Sequence, residues 1–160
     1  MKLLLSIFVV SLLSLGLYSN ADMPAHCTTL THTSNEVKNI CDKDNKPYLL
    51  VEFFSAGCGH CQRNVEPFKR LEEKIKELAF SRLITSDSPQ VAINFARANN
   101  IQTPIALDTQ RLAARAFNVR GYPTMFVLDA NNQIIFTQVG SLTDAKIDFI
   151  YELLTSSPGT

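Results

Sequence analysis

Apolar and polar positions recur along the chain with two different periods, and the switches between them mark the expected elements. Tyr48-Leu49-Leu50-Val51-Glu52-Phe53-Phe54 is apolar on both faces apart from one glutamate, the pattern of a central parallel strand. From Gln62 to about Phe80 the period changes. Val65, Phe68, Leu71, Ile75 and Leu78 recur every three or four residues, one stripe of a helix. Lys69, Arg70, Glu72, Glu73, Lys74, Lys76 and Glu77 fall mainly on its solvated side. Pro67 lies inside the helix and removes one hydrogen bond from its ladder, which predicts a kink. Ser81 to Thr85 reads as a second strand. Ser88-Pro89 then offers an N-cap and a first-turn proline, and Val91, Ala92, Phe95 and Ala96 form a stripe that ends at Asn99-Asn100. Thr103 to Leu107 is extended, and Asp108 is placed to cap a helix through Phe117. Thr124 to Asp129 and Gln133 to Val139 flank Asn131-Asn132, a β-hairpin signature. Gly140 leads to a last helix, capped near Thr143, with Ile147, Ile150 and Leu154 inward. The order predicts an α/β chain with a mixed central sheet and helices on both faces.

The N-terminal part reads differently. Met1-Lys2 precedes an apolar run, Leu3 to Leu17, and the small residues Ser19-Asn20-Ala21, so residues 1–21 have the form of a secretory signal peptide cleaved after Ala21. The run is shorter than the ~20 residues of a spanning helix. Residues 22–46 form a polar extension, in which Ser34, Glu36, Val37 and Ile40 suggest a short helix carrying Cys41, followed by a polar loop from Asp42 to Pro47. Residues 47–160 hold the main domain, and 160 residues suffice for one core. Fifteen basic and fifteen acidic residues balance, and no basic run points to nucleic acid.

The chemistry concentrates at Cys58-Gly59-His60-Cys61. A strand, a short Ser55-Ala56-Gly57 turn and a helix opening on the first cysteine make a C-x-x-C pair a redox couple. At a helix N-terminus, unpaired N–H groups and the macrodipole stabilise a thiolate at Cys58. Cys61, one turn deeper, is within reach to resolve a mixed disulfide. The same spacing could supply half a zinc site. Three features favour redox: Glu52 in a strand built for burial, Gly121-Tyr122-Pro123-Thr124 as a candidate cis-proline turn, and the lack of a second C-x-x-C. In an exported chain the remaining pair, Cys27 and Cys41, reads as a structural disulfide worth roughly 2–4 kcal/mol. His26 and His32 flank Cys27, but their spacing fits no metal motif, so they are expected in solvent and no metal is expected.

The stretch Val51 to Cys61, with Arg120-Gly121-Tyr122-Pro123-Thr124 later, resembles the thioredoxin superfamily. The CGHC and RGYPT wording is similar to protein disulfide isomerase catalytic domains. The layout looks more like the extracytoplasmic TlpA/ResA branch, with an inserted segment around Ser88 to Asn118 before the cis-proline strand. Covering roughly Pro47 to Leu154, the resemblance implies a thioredoxin fold, Cys58 as attacking thiol, Cys61 as resolving thiol, Glu52 as buried acid and Pro123 as the cis-proline facing them. Two departures bear on substrate preference and loop shape. Gly57 stands where the family commonly has tryptophan, and Pro67 lies one residue farther from Cys58 than usual.

These readings converge on thiolate attack on a disulfide, with no cofactor beyond the dithiol. His60 is expected to stabilise the Cys58 thiolate and make the pair more oxidising. Pro123 and Tyr122 are expected to bind an extended substrate strand. The resemblance implies a periplasmic or secreted enzyme whose partners are exported protein thiols and disulfides, served by a membrane electron donor or acceptor, acting as reductase or isomerase more than as pure oxidase. Two other classes remain open: a metal-binding or metallochaperone module using Cys58 and Cys61, and a redox-inert interaction domain.

Overall fold

A strand that is buried along its whole length organises the molecule. The structure, a computed structural model, describes residue 24 and residues 26–156, so the expected signal peptide lies outside the described residues. In chain order the elements are β1 (Thr29–His32), β2 (Val37–Asn39), β3 (Tyr48–Phe54), α1 (Gly59–Ile75), β4 (Ala79–Thr85), α2 (Pro89–Ala98), β5 (Ile105–Leu107), α3 (Leu112–Ala116), β6 (Thr124–Leu128), β7 (Ile134–Val139) and α4 (Asp144–Ser156). The strands form one mixed sheet in the order β2-β1-β5-β4-β3-β6-β7. β3, β4 and β5 are mutually parallel, and the other neighbours are antiparallel.

Alternation along β3 divides the interior in two. Tyr48, Leu50 and Phe54 join Val65, Phe68, Leu71 and Ile75 of α1, Ala92 and Phe95 of α2, and Ile147, Ile150 and Leu154 of α4. Leu49, Val51 and Phe53 face the opposite core, with Ala113, Ala114 and Phe117 around α3. Glu52 has the parity of Leu50 and Phe54, so its carboxyl is directed to the α1 side.

Several boundaries differ from expectation. α1 ends at Ile75, and Ala79 and Phe80 belong to β4, because β4 pairs with β3 along its full length from Tyr48↔Ala79 to Phe54↔Thr85. The ladder outcompetes the last helical turn. Residues Ser34 to Ile40 form no helix; they close a β1–β2 hairpin in register Thr29↔Asn39, with Asn35 at φ 66° in the turn. Local helix signals lose here to pairing on two sides, because β1 also pairs with β5. The extension thus contributes two strands to the main sheet. Cys27 and Cys41, just outside the hairpin, are joined in a disulfide with Cα atoms 5.2 Å apart. His32 is not in solvent: it occupies an inward position of β1 and is 3% exposed. His26 is half-buried, its ring 4.8 Å from that of Phe117 and its Nε2 2.9 Å from the Asn132 carbonyl.

Asp108 does serve the following helix, at a distance. Its carboxylate accepts from the Ala113 and Ala114 N–H groups at 3.1 and 2.8 Å, while Arg111 occupies the N-cap position. Val91 is exposed, so the buried seam of α2 is narrower than its sequence stripe. No helix among the described residues is long and apolar enough to cross a membrane.

Candidate active site

Because β3 and β6 are antiparallel, with Phe53 opposite Thr124, the chain leaving β3 lies beside the chain entering β6. Cys58 and the Tyr122 backbone meet there. Cys58 is the N-cap of α1, with extended backbone, and its Sγ accepts the Cys61 N–H at 3.3 Å. The Cys58 thiol also donates to the Tyr122 carbonyl at 3.5 Å, across a Tyr122–Pro123 peptide bond that is cis. Tyr122 is half-buried and packs against both cores. Both thiols are free, with Cys58 half-exposed and Cys61 2% exposed.

The two thiols differ electrostatically. Partial burial pushes Cys58 up, but donation from the Cys61 thiol and from the Cys61 and His60 backbone N–H groups outweighs it. With the Arg63 cation nearby, the net shift is down. Cys61 is driven the other way, to about 12, first by burial, then by its hydrogen bond to Cys58 and the charges of Cys58 and Glu52. His60 contributes to this field through its backbone. Its exposed ring instead stands 3.1 Å from Arg63, and because a guanidinium only donates, Nδ1 accepts in this arrangement. Arg63 is the cation that acts on Cys58.

Glu52 is 4% exposed, and burial pushes its carboxyl up to about 8, with a hydrogen bond from Asn64 opposing the shift. Asn64, on α1 and 1% exposed, donates from Nδ2 to Glu52 Oε2 at 2.7 Å. Its Oδ1 accepts the Leu142 N–H at 2.7 Å. A backbone N–H can only donate, so this second bond fixes the amide with Nδ2 toward the carboxylate. A cavity of about 20 Å³, room for one water, borders both Glu52 and Cys61. Asp87, beyond β4, braces the loop before Cys58 by accepting from the Ala56 N–H at 2.7 Å and the Ser55 hydroxyl at 3.2 Å.

Sequence reasoning missed Asn64, Asp87 and Arg63. Asn64 could have been singled out as the polar residue interrupting the inward stripe of α1 between Cys61 and Val65. For Asp87 no local signal exists, since its partners lie 31 and 32 residues away.

Among the described residues, the one group of three close metal-ligating side chains is His26, Cys27 and Cys41, and its two sulfurs are bonded to each other. Cys58 and Cys61 have no third such ligand beside them among those residues. The family model for Redoxin matches residues 19–150. The chain belongs to the Redoxin family. It is 21% identical over 156 residues to sporulation thiol-disulfide oxidoreductase A of Bacillus subtilis, covering 91% of this chain and 94% of the relative. It is 23% identical over 126 residues to thiol-disulfide oxidoreductase ResA of Bacillus cereus, covering 77% and 73%. A solved structure described as a thiol:disulfide interchange protein DsbE from Chlorobium tepidum superposes with a TM-score of 0.69 at 20% identity, covering 81% of this chain and 92% of that one. The fold is thioredoxin-like, and the protein is a thiol–disulfide oxidoreductase carrying a cysteine pair.

Proposed function

We propose that the protein is an exported oxidoreductase that reduces or reshuffles disulfides in other exported proteins, with Cys58 as nucleophile and Cys61 as resolving thiol. The asymmetry of the pair carries this reading: one accessible thiol is pushed down at a helix start, and one buried thiol is pushed up beside a buried acid. The Cys58 thiolate attacks one sulfur of a substrate disulfide, forming a mixed disulfide and expelling the other sulfur as a thiolate. Cys61 then passes its proton through the one-water cavity to Glu52 in its ionised form, the minor form at neutral pH because burial raises the group to about 8, and attacks Cys58 Sγ. The second substrate sulfur leaves as a thiolate, and solvent protonates both. Two electrons have moved from the dithiol to the substrate, which leaves as a dithiol. An external donor must then reduce the Cys58–Cys61 disulfide. With substrate running the other way, the same steps oxidise or isomerise.

The Tyr122–Pro123 segment offers backbone and an aromatic ring beside Cys58, which supports its assignment as the substrate-binding edge. Insulin-disulfide reduction driven by dithiothreitol tests the roles. Cys58→Ser should fall to the uncatalysed rate. Cys61→Ser should accumulate a mixed disulfide on Cys58. Undiminished turnover by Cys58→Ser would overturn the assignment.

A further inference from the structure

The buried stripe of α1 runs Cys61, Asn64, Val65, Phe68, Leu71 and Ile75, and Asn64 stands in it as a polar side chain 1% exposed. A buried amide is costly unless both of its ends are bonded. Here both are, and each bond reaches a different part of the molecule. Nδ2 donates to Glu52 Oε2 in β3, and Oδ1 accepts the Leu142 N–H, both at 2.7 Å. Leu142 lies between β7 and α4, next to Ser141, whose hydroxyl donates to the His60 carbonyl at 3.4 Å.

The Leu142 bond gives the amide a direction. Its oxygen is taken by an N–H, so its donor end is the one presented to Glu52. A carboxyl group that accepts an N–H on one oxygen carries its own proton on the other, so Oε1 is the oxygen that takes up and releases the Glu52 proton. The same donor favours the charged form, and it opposes the burial that pushes this acid up to about 8.

The other neighbours of Glu52 offer no such help. Its cross-strand partners are Leu83 in β4 and Met125 in β6. The cavity it shares is bordered by two further titratable groups, Cys61 and Lys69. The Lys69 ammonium is committed to Glu66 at 3.1 Å and to the Asn99 carbonyl at 2.6 Å. Glu52 forms no ion pair among the described residues.

We propose that Asn64 is a positioning residue for the resolving step, holding the Glu52 carboxylate by Oε2 and leaving Oε1 to take the Cys61 proton. The proton moves from the Cys61 thiol to Oε1, and the thiolate left behind attacks Cys58 Sγ and expels the substrate sulfur. Asn64 acts through Glu52, so the proposal rests on the reading of Glu52 as acceptor of that proton.

Stopped-flow mixing of the mature chain, reduced at Cys58 and Cys61 only, with substoichiometric Ellman's disulfide tests it. Thionitrobenzoate leaves twice, first on attack by Cys58 and then on resolution by Cys61. The pH profile of the second release is compared in wild type, Glu52→Gln, Asn64→Leu and Asn64→Asp. In parallel the ¹³C-labelled Glu52 carboxyl resonance is titrated, assigned by its loss in Glu52→Gln. Asn64→Asp keeps an acceptor for the Leu142 N–H and loses the donor to Glu52, which separates a mere tether from action on the acid. Both Asn64 variants should raise the half-maximal pH of the second release by about one unit or more, the worth of one hydrogen bond to a charged group, with the Glu52 resonance moving in step. A shift in Asn64→Leu but not in Asn64→Asp would make Asn64 a tether and overturn the proposal. Wild-type profiles in both, with resolution slowed by Glu52→Gln, would overturn the proposal alone. Wild-type resolution in Glu52→Gln would remove the role of Glu52 and the proposal with it.

Discussion

Glu52 is the residue at which burial and chemistry oppose each other most directly. Its carboxyl is pushed from 4.5 to about 8, so the folded chain keeps a proton that the unfolded chain gives up. The unfolded state therefore binds fewer protons than the folded state between those values. Stability from this group is complete below about 4.5 and is lost as the pH rises through 8. His32 acts with the opposite sign, its folded value of about 4 lying below 6.5, but only under pH 6.5. Between pH 6.5 and 8 the comparison of wild type with Glu52→Gln isolates the glutamate. Urea unfolding should show wild type losing roughly 1–2 kcal/mol relative to the variant across that window. In Asn64→Leu the loss should extend above pH 8, because the donor that favours the carboxylate is gone. Parallel pH profiles for wild type and Glu52→Gln would show that Glu52 is not the titrating group.

At the scale of elements, the β1–β2 hairpin is stapled rather than self-supporting. β2 has three residues and forms one edge of the sheet, and the Cys27–Cys41 bond closes its base across 14 positions. Loop-closure entropy for a loop this short predicts that Cys27→Ser/Cys41→Ser loses about 3 kcal/mol in urea unfolding. Cys27 and Cys41 pack in the core on the α3 face of the sheet and Cys58 and Cys61 against the core on the α1 face, so insulin reduction by the folded fraction should be unchanged. Activity lost in proportion to no unfolding would tie the hairpin to the chemistry. The elements that were legible in the sequence are those whose pattern is local: β3, buried on both faces, the stripe of α1, the Asn131-Asn132 hairpin and the Cys58 helix start. The N-terminal hairpin was not legible, because its pairing with β5 spans more than 70 residues and only the partner strand makes Leu30 and His32 inward. Asn64 escaped for the same reason, since its value lies in Glu52 and Leu142, 12 and 78 positions away. The field on Cys58 was expected from the imidazole of His60. The groups that lower Cys58 are the Cys61 thiol first, then the Cys61 and His60 backbone N–H groups, then Arg63, while the His60 ring stands against Arg63.

At the scale of the whole molecule, the sheet serves two ends. One end sets a helix start and an X–Pro segment side by side around Cys58, with a buried acid behind Cys61; the other holds the buried Arg82 and His32. In the function proposed above, the first end is a reversible dithiol whose reduced form is stabilised through the Cys58 thiolate. Such stabilisation makes a couple more oxidising. The direct measurement is the reduction potential of the Cys58–Cys61 pair in glutathione buffers, read by alkylation and mass spectrometry of the peptide carrying both cysteines, so that Cys27–Cys41 is counted apart. A two-electron couple is expected, tenfold per about 30 mV, with a potential less negative than the about −270 mV of thioredoxin. A pair that never equilibrates with glutathione, or one more reducing than thioredoxin, would contradict it.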